Sequence, residues 1–231
     1  MTRKENTIGI AVGLLATALF ILAQGTWSDP ITATVVDSET GLPIEGVVVV
    51  ADWELKGGFE GGNPVGHLAV MEAITDQAGK FHFAGWGPRF SIRGALRAEE
   101  PSLLFFKNGY SYFNFTNKAS RAWHGWQANS MVDGTLVKPE KFRGTPKEYM
   151  ENLNRIASNL DSVLFGIDKE CNWKKTPKMI HAMDQQVPSL PEGKGHSSAP
   201  HQHLRDAEEY YQKIGCGSTK EFLKGIPAST G

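Results

Sequence analysis

Apolar residues alternate with polar ones along the front of the chain and recur at three- and four-residue steps along the back. Ile31-Thr32-Ala33-Thr34-Val35-Val36 and the run from Val47 to Trp53 are rich in β-branched residues, which suit a pleated, half-buried surface. Between them lies "DSETGLPIEG". Asp37 and Ser38 can bond their own backbone, Gly41 takes a positive φ and Pro43 fixes the exit angle. This pattern predicts a hairpin, with Val47 to Val50 filling a core. The same grammar returns at Thr75-Asp76-Gln77-Ala78-Gly79, a tight turn after which Phe81 and Phe83 alternate with Lys80 and His82. Ser102 to Phe106 and Tyr110 to Phe115 then flank the turn Lys107-Asn108-Gly109. Short strands at this spacing, from Pro30 to about Val137, predict an antiparallel sandwich. Two stretches interrupt it, and both predict long loops: Leu55 to Val70, with five glycines before His67, and "GPRFSIRGALRAEE". Such loops are the first place to look for a ligand, which makes His67 a candidate contact.

From about Gly144 the period becomes helical. Thr145-Pro146-Lys147-Glu148 is a capping box with proline at the first helical position. Met150, Leu153, Ile156, Ala157, Leu160, Val163 and Leu164 form one apolar stripe, and Gly166 ends it. Thr176-Pro177 opens a shorter helix carrying Met179, Ile180 and Met183. A third spans about His203 to Ile214, and Ser218-Thr219-Lys220-Glu221 caps a last turn. The first stripe is too apolar to face water, so it packs on the sandwich or on the other helices.

The segment ahead of the strands changes the compartment. Arg3 and Lys4 precede Ile8 to Ala23, an uncharged run of 16 residues, shorter than the roughly 20 that a spanning helix needs. With small residues Ala23 and Gly25 beyond it, residues 1–25 read as a signal peptide cleaved before Thr26. An uncleaved anchor is the alternative. No cysteine stands nearby to carry a lipid. The expected location is therefore periplasmic or secreted. Cys171 and Cys216 are the only cysteines, and an oxidising compartment favours a disulfide between them over two unrelated thiols. A formal net charge of −1 argues against a nucleic-acid partner and against a polybasic membrane surface. Membrane contact is expected only through an uncleaved signal segment.

The front half resembles the carboxypeptidase regulatory-like domain. The family's pattern of Asp, Thr-Gly, Pro and Gly before the second strand falls on Asp37, Thr40-Gly41, Pro43 and Gly46. Its Thr-Asp-x-x-Gly-x-aromatic signature falls on Thr75, Asp76, Gly79 and Phe81, and its Gly-Tyr on Gly109-Tyr110. The resemblance covers about Ile31 to Phe115. It implies a mainly β, transthyretin-like antiparallel sandwich of about seven strands, on residues 26–140. Residues 141–231 would be a C-terminal α-helical extension clamped by the disulfide.

Enzymatic readings find little purchase. None of the seven histidines stands in His-x-x-Glu, the paired ligands that a zinc carboxypeptidase needs. There is no His-Glu-x-x-His, Gly-x-Ser-x-Gly or phosphate loop. His196, His201 and His203 stand close in sequence and could take a metal, which gives one alternative: a metal-dependent protein or enzyme. The simpler expectation for that tract is a solvated linker. Trp123 and Trp126 could stack on sugar faces, giving a second alternative, a carbohydrate-binding module, although tryptophans more often cover a core edge. The favoured expectation is a non-enzymatic exported module for binding or assembly at the cell envelope. It would need no cofactor, and its partner would be an unidentified envelope protein or carbohydrate.

Overall fold

The computed structural model describes residues 25–57, 62–96, 101–116, 127–128, 130–164, 170–186 and 200–225. The proposed signal segment and its cleavage point ahead of Gly25 lie outside them. Eleven strands are described: β1 (Thr26–Ser28), β2 (Ile31–Val35), β3 (Val48–Gly57), β4 (Asn63–Ile74), β5 (Lys80–Phe83), β6 (Trp86–Arg89), β7 (Ala95–Leu96), β8 (Ser102–Phe106), β9 (Phe113–Thr116), β10 (Gln127–Ala128) and β11 (Leu136–Val137). They form three sheets, ordered β4-β3-β8-β9 with β7 also on β3, β11-β2-β5, and β10-β1-β6. Every pairing is antiparallel except β1 with β10 and β2 with β11.

The stretch that predicts a hairpin is instead a crossing between sheets. β2 pairs with β5, Ile31 opposite Phe83 and Ala33 opposite Phe81, while β3 pairs with β4 and β8. Turn residues announce a reversal of the chain but do not say whether it joins neighbours in one sheet or faces across a core. Here Ile31, Ala33 and Val35 of β2 meet Val49, Ala51 and Trp53 of β3, with Phe81, Phe83, Leu103 and Phe105 between them. Gly79 makes the crossing compact. Its φ is +71°, and a Cβ there would lie 2.3 Å from the Val35 carbonyl oxygen.

The glycine-rich stretch is also not the loop its composition predicts. β3 and β4 run as one long pair out to Gly57 opposite Asn63, so most of Leu55 to Val70 is strand. The second stretch likewise contains β6 and β7. The glycines serve close approach: a Cβ on Gly94 would sit 2.5 Å from the Lys56 carbonyl oxygen.

The four valines serve two cores. Val47 and Val49 face the β2–β5 sheet, whereas Val48 and Val50 face the other way, with Val70, Leu104 and Phe106. That second face is covered by the C-terminal segment: α1 (Pro146–Leu164), a 3₁₀ turn (Asn172–Lys175), α2 (Pro177–Asp184), α3 (Pro200–Asp206), α4 (Glu208–Lys213) and α5 (Thr219–Gly225). The stripe of α1 supplies Leu153, Ile156, Leu160 and Leu164, joined by Trp173, Met179, Ile180, Leu204 and Tyr211. The capping box forms as its sequence predicts: the Thr145 amide donates to Glu148 at 2.7 Å, and the Glu148 amide to the Thr145 hydroxyl at 3.3 Å. Cys171 and Cys216 are bonded, with Cα atoms 5.5 Å apart, tying the 3₁₀ turn to the chain between α4 and α5.

Candidate functional site

The helix-facing side of the large sheet is apolar at one end and polar at the other. Along β3, Val48 and Val50 are followed in the same alternation by Asp52. His67 on β4 is opposite Glu54, just past an irregularity in the pairing. Its Nδ1 lies 2.6 Å from Asp52 Oδ1, and both residues are buried. So His67, predicted on a loop, is a strand residue held by an acid. Burial pulls the imidazole pKa down. The Asp52 hydrogen bond and charge, with the charge of Glu170, outweigh burial and the opposing Lys175, so the net shift is upward.

That sign fixes a pH dependence. A histidine whose folded pKa is raised stabilises the fold fully below its unfolded value of about 6.5 and loses that stabilisation as pH rises through the folded one. The melting temperature is expected to fall as pH rises above about 6.5, and His67→Gln to flatten that decline. Thermal melts across this range check it.

Asp52 is cross-strand partner to Ser102 on one side and to Val70 on the other. The order across the sheet is therefore serine, acid, histidine. A serine hydrolase needs the histidine between the other two. The pair can orient and charge an imidazole.

Glu72, further along β4, reaches α2 from the sheet. Its carboxylate accepts the amides of Lys178 at 3.0 Å and Met179 at 2.7 Å, satisfying orphan donors that the helix's own N-cap, Thr176, leaves unmet. Burial raises its pKa against those two amides and Lys178. Glu72→Ala is expected to cost about 1–2 kcal/mol, the scale of a lost cap, and Glu72→Gln less, because an acceptor remains. Urea denaturation of the two variants separates them.

A third polar cluster lies where the crossing meets the turn after β8 and the chain ahead of α1. Asp37 Oδ1 accepts the amides of Glu39 and Thr40 and the Thr40 hydroxyl, while Oδ2 accepts the Tyr110 hydroxyl at 2.9 Å and lies 3.5 Å from Lys141 Nζ. The Thr40 amide, working against burial and helped by Tyr110, holds the Asp37 carboxyl far below the usual range. Tyr110 is pushed up to about 12 by burial and by Asp37. Beside it opens a groove of about 610 Å³ lined by Ser38, Glu39, Ser111, Glu140, Lys141 and Arg143, among others. Its cations are paired, Lys141 with Asp37 and Arg143 with Glu39.

Trp123, Trp126 and His196 lie outside the described residues, as does the side chain of His201. His203 sits on α3, its Nδ1 3.1 Å from Asp161 of α1. Among the described residues no group of three or more histidine, cysteine or acidic side chains stands close enough to hold a metal ion. Asp52 and Glu72 escaped the sequence analysis, although a signal was there. Each is an acid on a strand whose same-face neighbours are apolar, which marks a buried polar group with a specific partner.

No protein-family model matches the chain, and no curated protein matches it by sequence. Among solved structures, a streptococcal ancillary pilin is similar over 50% of this chain and 30% of its own, at 16% identity and a TM-score of 0.27. A 3-chlorocatechol 1,2-dioxygenase from Rhodococcus opacus 1CP is similar over 51% and 61%, at 14% identity and a TM-score of 0.31. The major pilin SpaD from Corynebacterium diphtheriae is similar over 52% and 31%, at 15% identity and a TM-score of 0.26. The chain spans less than two thirds of each of these proteins. Similarity at this level carries neither an activity nor a binding role to this chain.

Proposed function

We propose that the protein is an exported, non-enzymatic module of the cell envelope, used for structure or assembly. Residues 26–140 would form a transthyretin-like sandwich of the carboxypeptidase regulatory-like kind, with residues 141–231 as its helical extension. The observation that carries the proposal is the closed Cys171–Cys216 bond, because disulfides form and persist outside the reducing cytosol.

The fold assignment is supported by where the motif residues go. Asp37 bonds Thr40 and Tyr110, the Thr75 hydroxyl takes the Val47 amide at 2.8 Å, and the Gly79 carbonyl takes the Val35 amide at 2.7 Å. Residues far apart in sequence thus lock one crossing. A structural role is supported by the acids: the carboxylates of Asp37, Glu72, Glu148 and Glu208 each accept backbone amides at a turn or a helix start.

The test is expression of the full chain in a bacterial host, with fractionation and maleimide tagging of thiols before and after reduction. The expected result is recovery from the envelope or periplasm, with thiols tagged only after reduction. Cytosolic recovery with reactive thiols would overturn the compartment. Turnover of any substrate in a hydrolase and oxidase panel, abolished by His67→Gln, would overturn the non-enzymatic assignment.

A further inference from the structure

The chain contains one Asn-Gly step, Asn108-Gly109, and the fold sets a hydroxyl against it. The step forms the corner of the turn after β8. The Tyr110 amide donates to the Lys107 carbonyl at 3.1 Å and closes that turn, and Gly109 has a φ of +79°. Both corner residues are exposed to solvent. The Gly109 amide takes no part in closing the turn. It donates instead to the hydroxyl of Tyr149 on α1 at 3.4 Å, and the same hydroxyl donates to Asn108 Oδ1 at 2.9 Å. Gln186 Oε1, at 3.4 Å, is the more distant acceptor. Packing places the ring: Tyr149 is half-buried, with its centroid 5.0 Å from that of Phe142.

An asparagine side chain carries an electrophilic carbon, and the backbone nitrogen of the next residue is the nucleophile that reaches it, by closing a five-membered ring. Rotation about the Asn108 Cα–C bond brings the two together. A side chain on the following residue hinders that rotation. Gly109 has none, and a Cβ built on it would meet nothing within 4 Å, so the corner is free to turn. The remaining obstacle is the proton. An amide nitrogen attacks poorly while it keeps its hydrogen, and the carbonyl oxygen needs one as charge builds on it. A hydroxyl bonded to both groups answers both needs.

We propose that Asn108 is a self-modifying site, at which Tyr149 carries the proton for ring closure to a succinimide. The bond from Gly109 N to Asn108 Cγ forms as the Gly109 proton passes to the Tyr149 oxygen and the Tyr149 proton passes to Oδ1. The resulting tetrahedral carbon holds a hydroxyl and the original NH2. Its collapse breaks the bond to that nitrogen, which takes the hydroxyl proton and leaves as ammonia, and the carbonyl is restored. Water then opens the ring on either side, leaving aspartate or isoaspartate at position 108. The product is a new carboxylate at the joint between the large sheet and α1.

The test incubates the full chain at mildly alkaline pH, in buffer and in guanidinium chloride. Mass spectrometry follows the peptide that holds residues 107–110, and a methyltransferase assay counts isoaspartate. Tyr149→Phe keeps the ring against Phe142 and removes only the hydroxyl. In buffer the unmodified sequence is expected to convert at Asn108, and Tyr149→Phe to convert at least about tenfold more slowly. In guanidinium chloride, where nothing holds the hydroxyl in place, the two should convert alike. The sign separates proton transfer from mere support, because a tyrosine that only tied the turn down would, once lost, free the corner and speed conversion. An equal or faster rate for Tyr149→Phe in buffer would overturn the proposal. So would conversion in guanidinium chloride with none in the folded chain, or conversion that persists in Asn108→Gln.

Discussion

Replacing Cys171 and Cys216 by serine is expected to lower unfolding stability by about 4 kcal/mol, the loop-entropy contribution for a bond between residues of this separation. The two are 45 positions apart. The effect should be large because of what lies inside the loop and directly after it. α3, α4 and α5 have seven, six and seven residues, too short to persist in water without packing. They are held by burial of Leu204, Tyr211 and Phe222, by Glu208 accepting the amides at the start of α5, and by the bond itself. Urea unfolding of the oxidised chain, the reduced chain and the double variant is the measurement. Coincident curves would mean that the bond constrains nothing.

Trp173→Ala is expected to cost roughly 3–5 kcal/mol, the range for deleting a large aromatic from a packed interior. Trp173 is fully buried beside that disulfide, edge-on to Tyr211 at 5.6 Å and to Phe222 at 4.7 Å between ring centroids. Its indole N–H has no hydrogen-bond partner among the described residues. Trp173→Phe therefore sacrifices packing volume but no hydrogen bond, and should cost about 1–2 kcal/mol, well below the alanine variant. Equal costs for both would place the stabilisation in something other than the ring.

The first helix was legible because two independent signals agreed there, whereas the single helix expected over about His203 to Ile214 is two, α3 and α4, broken at Ala207. Thr145 to Glu148 announced the start of α1, and the stripe from Leu153 to Leu164 announced its buried face. Strands were legible one at a time, as at Phe81 and Phe83, where alternation exposes the pleat. Their partners were not, because β pairing is decided by packing between distant residues. Val47 to Val50 illustrate the difference. A continuous apolar run is what a strand buried on both faces looks like, and the second face is buried only because the helices return to it. The glycines of Leu55 to Val70 misled for a related reason. A residue without a side chain permits either a free loop or a close approach, and only the neighbouring strand decides between them. The acids at positions 52 and 72 were visible as polar residues in apolar strands, but their partners, His67 and the start of α2, needed the fold.

The central physical claim is that the C-terminal helices and the large sheet share one core, with the disulfide closing it. Hydrogen exchange read by mass spectrometry on the oxidised and reduced chain tests that most directly. Peptides covering Val48 to Ala51, Leu103 to Phe106 and Leu153 to Leu164 are expected to open together in the oxidised chain, and reduction should speed all three. Early exchange over Leu153 to Leu164, with the two strands protected and indifferent to reduction, would contradict the claim.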